Sequence, residues 1–122
     1  MMQKIAILAV LFFVLASSVH AETGTLYTLP QANKIEAERH MMVARRHFLS
    51  RDYFGCLEEL ELAQKDDIYL VSTYLLRALC QRRLGMWGDA LTSIHYYLEV
   101  ASADVRAKLI ESQIVKERDL LK

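Results

Sequence analysis

Sliding the chain along itself by 34 residues superposes Ala44 on Ala78, Tyr53 on Trp87, Cys56 on Ala90, Leu57 on Leu91 and Leu60 on Ile94. Small residues fall on small ones and aromatics on aromatics. A period of this size marks one supersecondary unit used more than once, and it constrains the fold more tightly than any bulk property. The unit is helical. Apolar residues recur at spacings of three and four in five runs: Ile35, Met42, Val43, Phe48 and Leu49; Leu57, Leu60 and Ala63; Val71, Leu75, Leu76 and Leu79; Leu91, Ile94, Tyr97 and Leu98; Val105, Leu109 and Ile114. This is the spacing of amphipathic helices. Pro30 is the only proline, and three of the four glycines lie at or after Gly55, so helix-breaking punctuation is sparse.

The stretch "RRLGMWGDAL" supplies that punctuation in the second copy. Gly85 is expected to end one helix in the left-handed conformation that only glycine adopts without strain, and Trp87-Gly88-Asp89-Ala90 begins the next. The corresponding "LSRDYFGCL" repeats the aromatic and the small residue but has no glycine at the matching turn position. Ala78 and Ala90 predict a close approach of the two helices, with Trp87 packing the start of the second against the end of the first.

These residues resemble the tetratricopeptide repeat. The second copy reads Tyr74, Arg77-Ala78, Gln81, Gly85, Trp87, Ala90, Ile94, Tyr97 and Ser102, and the first reads His40, Val43-Ala44, His47, Arg51, Tyr53, Cys56, Leu60 and Ala63. Both lack the family's closing proline. The resemblance implies an all-α fold: a tetratricopeptide-like stack of α-hairpins, or short α-solenoid, over residues 31–122 with a C-terminal capping helix. In "SADVRAKLIESQIVKERDLLK", Ser102 is the expected N-cap, and Val105, Leu109 and Ile114 the buried seam. Arg106, Lys108, Glu111, Lys116 and Glu117 would face water. Two repeats fall short of the three usually needed for independent stability, so dimerisation or partner binding would complete the core.

The N-terminus reads as targeting sequence. A short cationic start at Lys4, an unbroken apolar run from Ile5 to Leu15 and the small-x-small Val19-His20-Ala21 predict a cleaved signal peptide over 1–21. The run is too short for a stable bilayer span, which needs about 20 apolar residues. No cysteine follows it, which argues against a lipid anchor, and no stable membrane span is expected after cleavage. Residues 22–30, "ETGTLYTLP", lack helical periodicity and form an expected extended arm. The expected location is periplasmic or secreted. Without Lys4, the 15 basic residues become 14 against 15 acidic ones, close to neutral, so a nucleic-acid partner is not expected.

Candidate chemistry is thin. His40 and His47 lie seven apart without a metal-binding motif, in slots that take packing residues, and His95 has no histidine partner. Glu58, Glu59 and Glu61 are expected to complement a helix N-terminus. No serine or cysteine sits in a nucleophile setting, so no enzyme activity, cofactor or metal is expected. Cys56 and Cys80 fall at the start and end of neighbouring antiparallel helices. Either they form a disulfide, or Cys56 fills a small-residue slot and Cys80 packs as a hydrophobe.

In the family that the chain resembles, the first helix of each repeat lines a concave groove. That implies partner contacts from Met41, Arg45, Phe48 and Leu49, then from Leu75, Leu79, Arg82 and Arg83. The family's lysine–asparagine carboxylate clamp is not reproduced, and the arm or a second copy of the chain are alternative covers. The expected function is an exported adaptor or assembly factor of the bacterial envelope that binds a protein partner. The alternatives are a self-associating subunit of a secretion or pilus apparatus, and a small binder of cell-wall or metal ligands.

Overall fold

The computed structural model describes residues 33–121, so the expected signal peptide, arm and helix start after Pro30 lie outside the described residues. Five helices and no strand are present among those residues, and the fold is all-α. Helix α1 is described over 33–49; α2 spans Tyr53–Asp66, α3 Ser72–Arg83, α4 Trp87–Val100 and α5 Val105–Leu120. None is long and apolar enough to cross a membrane.

The 34-residue period extends to the backbone. Helices α2 and α4 both have 14 residues, beginning at Tyr53 and Trp87. At the first corner the amides of Ser50, Arg51 and Asp52 donate to the carbonyls of Arg46, Phe48 and His47. At the second, Leu84, Gly85 and Met86 donate to Cys80, Arg82 and Gln81, each 34 further on. The left-handed residue recurs too: Gly85 has φ 74°, and Arg51, at the matching place, has φ 62°. The turn geometry is therefore kept although the glycine is not. Gly85 is doubly constrained, because a Cβ there would also lie 3.2 Å from the Trp87 ring. Gly55 is required by space alone. A Cβ would overlap the Asp52 carboxylate, which caps α2 by accepting from the Gly55 amide at 3.0 Å.

Side-chain contacts set the direction of each successive helix pair. His40 of α1 meets Glu59 of α2, while Phe48 stacks edge-on against Tyr53. Gln64 near the end of α2 donates to Thr73 near the start of α3, and Cys80 at the end of α3 meets Cys56 near the start of α2. Tyr74 and Tyr96 join the start of α3 to the end of α4, and the Trp87 indole donates to Glu117 across α4 and α5. Every pair is antiparallel.

Helix α3 serves two cores. Leu76 and Cys80 pack with Met41, Ala44, Cys56, Leu60 and Ala63, whereas Ala78 packs with Ala90, Leu91, Ile94, Ala107 and Ile114. Alanine or cysteine at Ala44, Cys56, Ala78 and Ala90, all fully buried, removes side-chain bulk and lets the helices close.

The period also governs exposure. Thr73, Leu76 and Cys80 of α3 are buried towards α2, and their counterparts Ala107, Ile110 and Ile114 of α5 turn inward towards α4. Their counterparts on α1, Arg39, Met42 and Arg46, are exposed. On the opposite face, Met41 and Ala44 are buried and Leu75 and Ala78 pack inward, but Leu109 and Ser112 are exposed. Three first-position helices thus lie in one phase, each end lacking one neighbour among the described residues.

This phase corrects the reading of the last helix. Its seam is Ala107, Ile110 and Ile114, while Val105 and Leu109 are exposed. Its N-cap is Asp104, not Ser102. The Asp104 carboxylate accepts from the amides of Arg106 and Ala107 and from the Tyr97 hydroxyl at 2.6 Å. The hydroxyl and the amides hold its pKa below the ordinary 3.8. The glutamates are corrected too: no acidic residue lies in the first turn of α2, and Glu59 pairs with His40 instead.

Two outcomes follow. Gly85→Ala should cost about 1–2 kcal/mol, since a Cβ is strained at positive φ, whereas Arg51→Gly should leave stability unchanged or raise it by up to about 1 kcal/mol. Urea unfolding of the two variants checks this. Because Asp104 titrates lower when folded, its contribution is complete above the unfolded pKa and is lost as pH falls through the folded one. Asp104→Asn keeps a cap without the charge, so its melting temperature should fall less than that of the parent between pH 7 and pH 3.

Candidate partner-binding face

The eight residues proposed as a groove separate into four groups. Met41 is only 4% exposed and belongs to the first core, which corrects its reading as an outward residue; it occupies the position that faces the next helix layer. Phe48 and Leu75 are half-buried and pack against the first and second cores. Arg82 is occupied. Its Nε and Nη2 bind Glu117 at 3.0 and 2.5 Å, and Nη1 donates to Gln113 at 3.2 Å, joining the end of α3 to the end of α5. The guanidinium lowers the pKa of the Glu117 carboxyl. Of the three arginines expected to meet a partner, Arg82 is therefore already engaged.

Arg45, Leu49 and Arg83 remain exposed and Leu79 half-exposed. These four form two matched pairs, Arg45 with Leu79 and Leu49 with Arg83, because each pair is 34 apart. The side chains of Arg45 and Arg83 form no ion pair among the described residues. A cleft lies between α1 and the start of α3, lined by Glu38, Met41, Met42, Arg45, Leu70 and Ser72. Met41 reaches it from the core. Glu38, Met42, Leu70 and Ser72 were not among the residues expected from sequence. The signal for the first two was present, because residues 38, 42, 45 and 49 keep helical spacing with the chosen Arg45 and Leu49. Ser72 opens α3 at helical spacing from the chosen Leu75 and Leu79, whereas Leu70 carries no such signal, being supplied by the connection between α2 and α3.

The histidines are tied to carboxylates. His40 Nδ1 lies 2.6 Å from Glu59 Oε2, with Asp66 on its other nitrogen at 3.8 Å; His47 meets Asp52 at 2.9 Å, and His95 meets Glu111 at 3.0 Å. Among the described residues no group of three His, Cys, Asp or Glu is placed to hold a metal ion. Cys56 and Cys80 are both fully buried free thiols. The Cys80 thiol donates to Cys56 Sγ at 2.7 Å, which holds the Cys56 pKa down and pushes that of Cys80 up.

No family model, curated protein or solved structure matches the chain.

The two arginines at the corner should behave oppositely when truncated. Arg82→Ala should destabilise by about 1 kcal/mol, a value kept low because Glu117 is more than a third exposed, and Arg83→Ala by less than about 0.5 kcal/mol. Denaturant midpoints of the two variants test this.

Proposed function

We propose that the chain is an exported, tetratricopeptide-like adaptor or assembly factor of the bacterial envelope. It holds an extended or helical segment of a protein partner across α1 and α3. The recurrence of the corner hydrogen bonds and of the buried positions at 34 residues supports the repeat reading. The single observation carrying the binding reading is the cleft of Met41, Met42 and Leu70 beside Arg45, with Leu49, Leu79 and Arg83 also reaching solvent on the same two helices. An apolar floor desolvates anchor side chains of the partner, and the Arg45 and Arg83 guanidiniums donate bidentately to its carboxylates. The matched segment has one or two large apolar residues followed by an acidic one.

A second reading has its own observation. Val105 and Leu109 of α5 stand 75% and 59% exposed, where the equivalent positions of the preceding layers are covered. A subunit that self-associates would cover them with another copy. Light scattering separates the two, since a monomer with an open cleft fits the adaptor and a tight dimer fits the structural subunit.

The adaptor is tested by a panel of peptides pairing apolar anchors with an acidic residue, titrated into the full chain. Met42→Glu and Arg45→Glu should each weaken the best peptide at least about tenfold, while Tyr96→Ala on a different helix should not. Equal affinities for all three variants would remove the cleft as the binding site.

A further inference from the structure

Cys56 and Cys80 are each fully buried, sit on different helices and touch no other hydrogen-bonding group than one another. Cys56 lies in the first turn of α2 and Cys80 near the end of α3. The antiparallel pairing of these helices, fixed at the far end by Gln64 and Thr73, brings the two sulfurs to the same height. At 2.7 Å no atom can stand between them. Both cysteines belong to the core of Met41, Ala44, Leu60 and Leu76, and among the described residues neither thiol has another hydrogen-bonding partner.

The repeat tells the two positions apart from ordinary core filling. Cys56 stands where the second corner has Ala90, and Cys80 stands where α5 has Ile114 and α1 has Arg46. A small residue and a large aliphatic one suffice at these slots elsewhere in the same chain. Only across the α2–α3 boundary do both slots hold sulfur, and there they face each other.

We infer that Cys56 and Cys80 are a modification site, closing to an intramolecular disulfide that fastens the first hairpin to the second. This inference rests on the packing of α2 against α3 and not on the adaptor reading. The oxidant is a low-molecular-weight or protein disulfide, R–S–S–R. The Cys56 thiolate attacks one of its sulfurs, forming a mixed disulfide and expelling RS⁻. The Cys80 thiol then gives up its proton, and its thiolate attacks the Cys56 sulfur and expels the second RS⁻. Two protein thiols are oxidised, one disulfide is reduced to two thiols, and the two protons end on the released RS⁻ groups. The burial of both sulfurs places this exchange during folding or in a transient opening, and shields the finished bond from reductants.

The test uses the full chain, unfolded and reduced, then refolded in a buffer of reduced and oxidised glutathione. After acid quenching and denaturation, an alkylating reagent should find no free thiol, and should add two labels after reduction. The oxidised monomer should melt roughly 10 °C or more above the reduced one, a difference absent from Cys56→Ala/Cys80→Ala, whose first alanine has its precedent in Ala90. Two alkylated thiols, stable glutathione adducts or disulfide-linked dimers as the main refolded species would overturn the inference. So would an oxidised chain that melts no higher than the reduced one. Peptide binding by the reduced chain is a separate readout, so a missing disulfide and a missing binding site are told apart.

Discussion

The arrangement depends on one helix being buried on two opposite sides. Helix α3 presents Thr73, Leu76 and Cys80 to one core and Leu75 and Ala78 to the other, which leaves only a narrow strip for solvent. A 12-residue helix is marginal alone, so α3 holds its shape because it is clamped between α2 and α4. The clamping needs small residues. Ala78 and Ala90 on one side, with Ala44, Ala63 and Cys56 on the other, remove the side-chain bulk that would keep the axes apart, and the larger Leu60 and Ile94 interlock beside them. Enlarging any of the alanines would separate a pair of helices and disturb both cores through their shared wall.

The exposed strip of α3 is what makes a binding face conceivable. Since Leu75 and Leu76 are drawn to the cores, the outward residues are Ser72, Leu79 and Arg83, and α1 sets Glu38, Met42, Arg45 and Leu49 alongside. The face is therefore mixed rather than greasy. Its one strongly organised cation, Arg82, is turned away and spent on Glu117 and Gln113, where it fixes the end of α5 beside the corner. That ion pair, the Trp87 indole on the same carboxylate and the Tyr97–Asp104 contact together hold α5 at both of its ends. Arg45 and Arg83 are the exposed guanidiniums of this face.

Much of this was legible before any coordinates, and the parts that were not share a cause. The superposition of Tyr53 on Trp87 located the first residue of α2 and of α4, and Gly85 located the left-handed turn, because these depend on local backbone chemistry. Arg51 in the same conformation was invisible, since nothing in an arginine announces positive φ. The adjacent Met41 and Met42 both fit helical spacing, and only about 100° of rotation decides which of them is core. Ser102 and Asp104 are both good caps. Asp104 wins because Tyr97, seven residues back, donates to it, and that contact exists only in the fold. The commitment of Arg82 to a partner 35 residues away was beyond any local reading.

Among the described residues α3 carries two apolar stripes, one for each core, whereas α1 and α5 each bury one. An inner first-position helix needs two apolar stripes, one for each neighbouring layer; a terminal helix uses one. Helix α1 buries Ala37, Met41 and Ala44 and carries Arg39, Met42 and Arg46, all exposed among the described residues, at the positions matching Thr73, Leu76 and Cys80. Helix α5 keeps Ala107, Ile110 and Ile114 for the layer before it, but its free side retains Val105 and Leu109 amid Lys108, Ser112 and Lys116. A purely solvating cap would hold polar residues at both apolar positions, since repeat stacks rely on a polar outer face to stop growth. Covering Val105 and Leu109 would remove apolar surface from water, whereas covering the opposite side of α1 would strip water from the Arg39–Glu36 ion pair and from the Arg46 guanidinium.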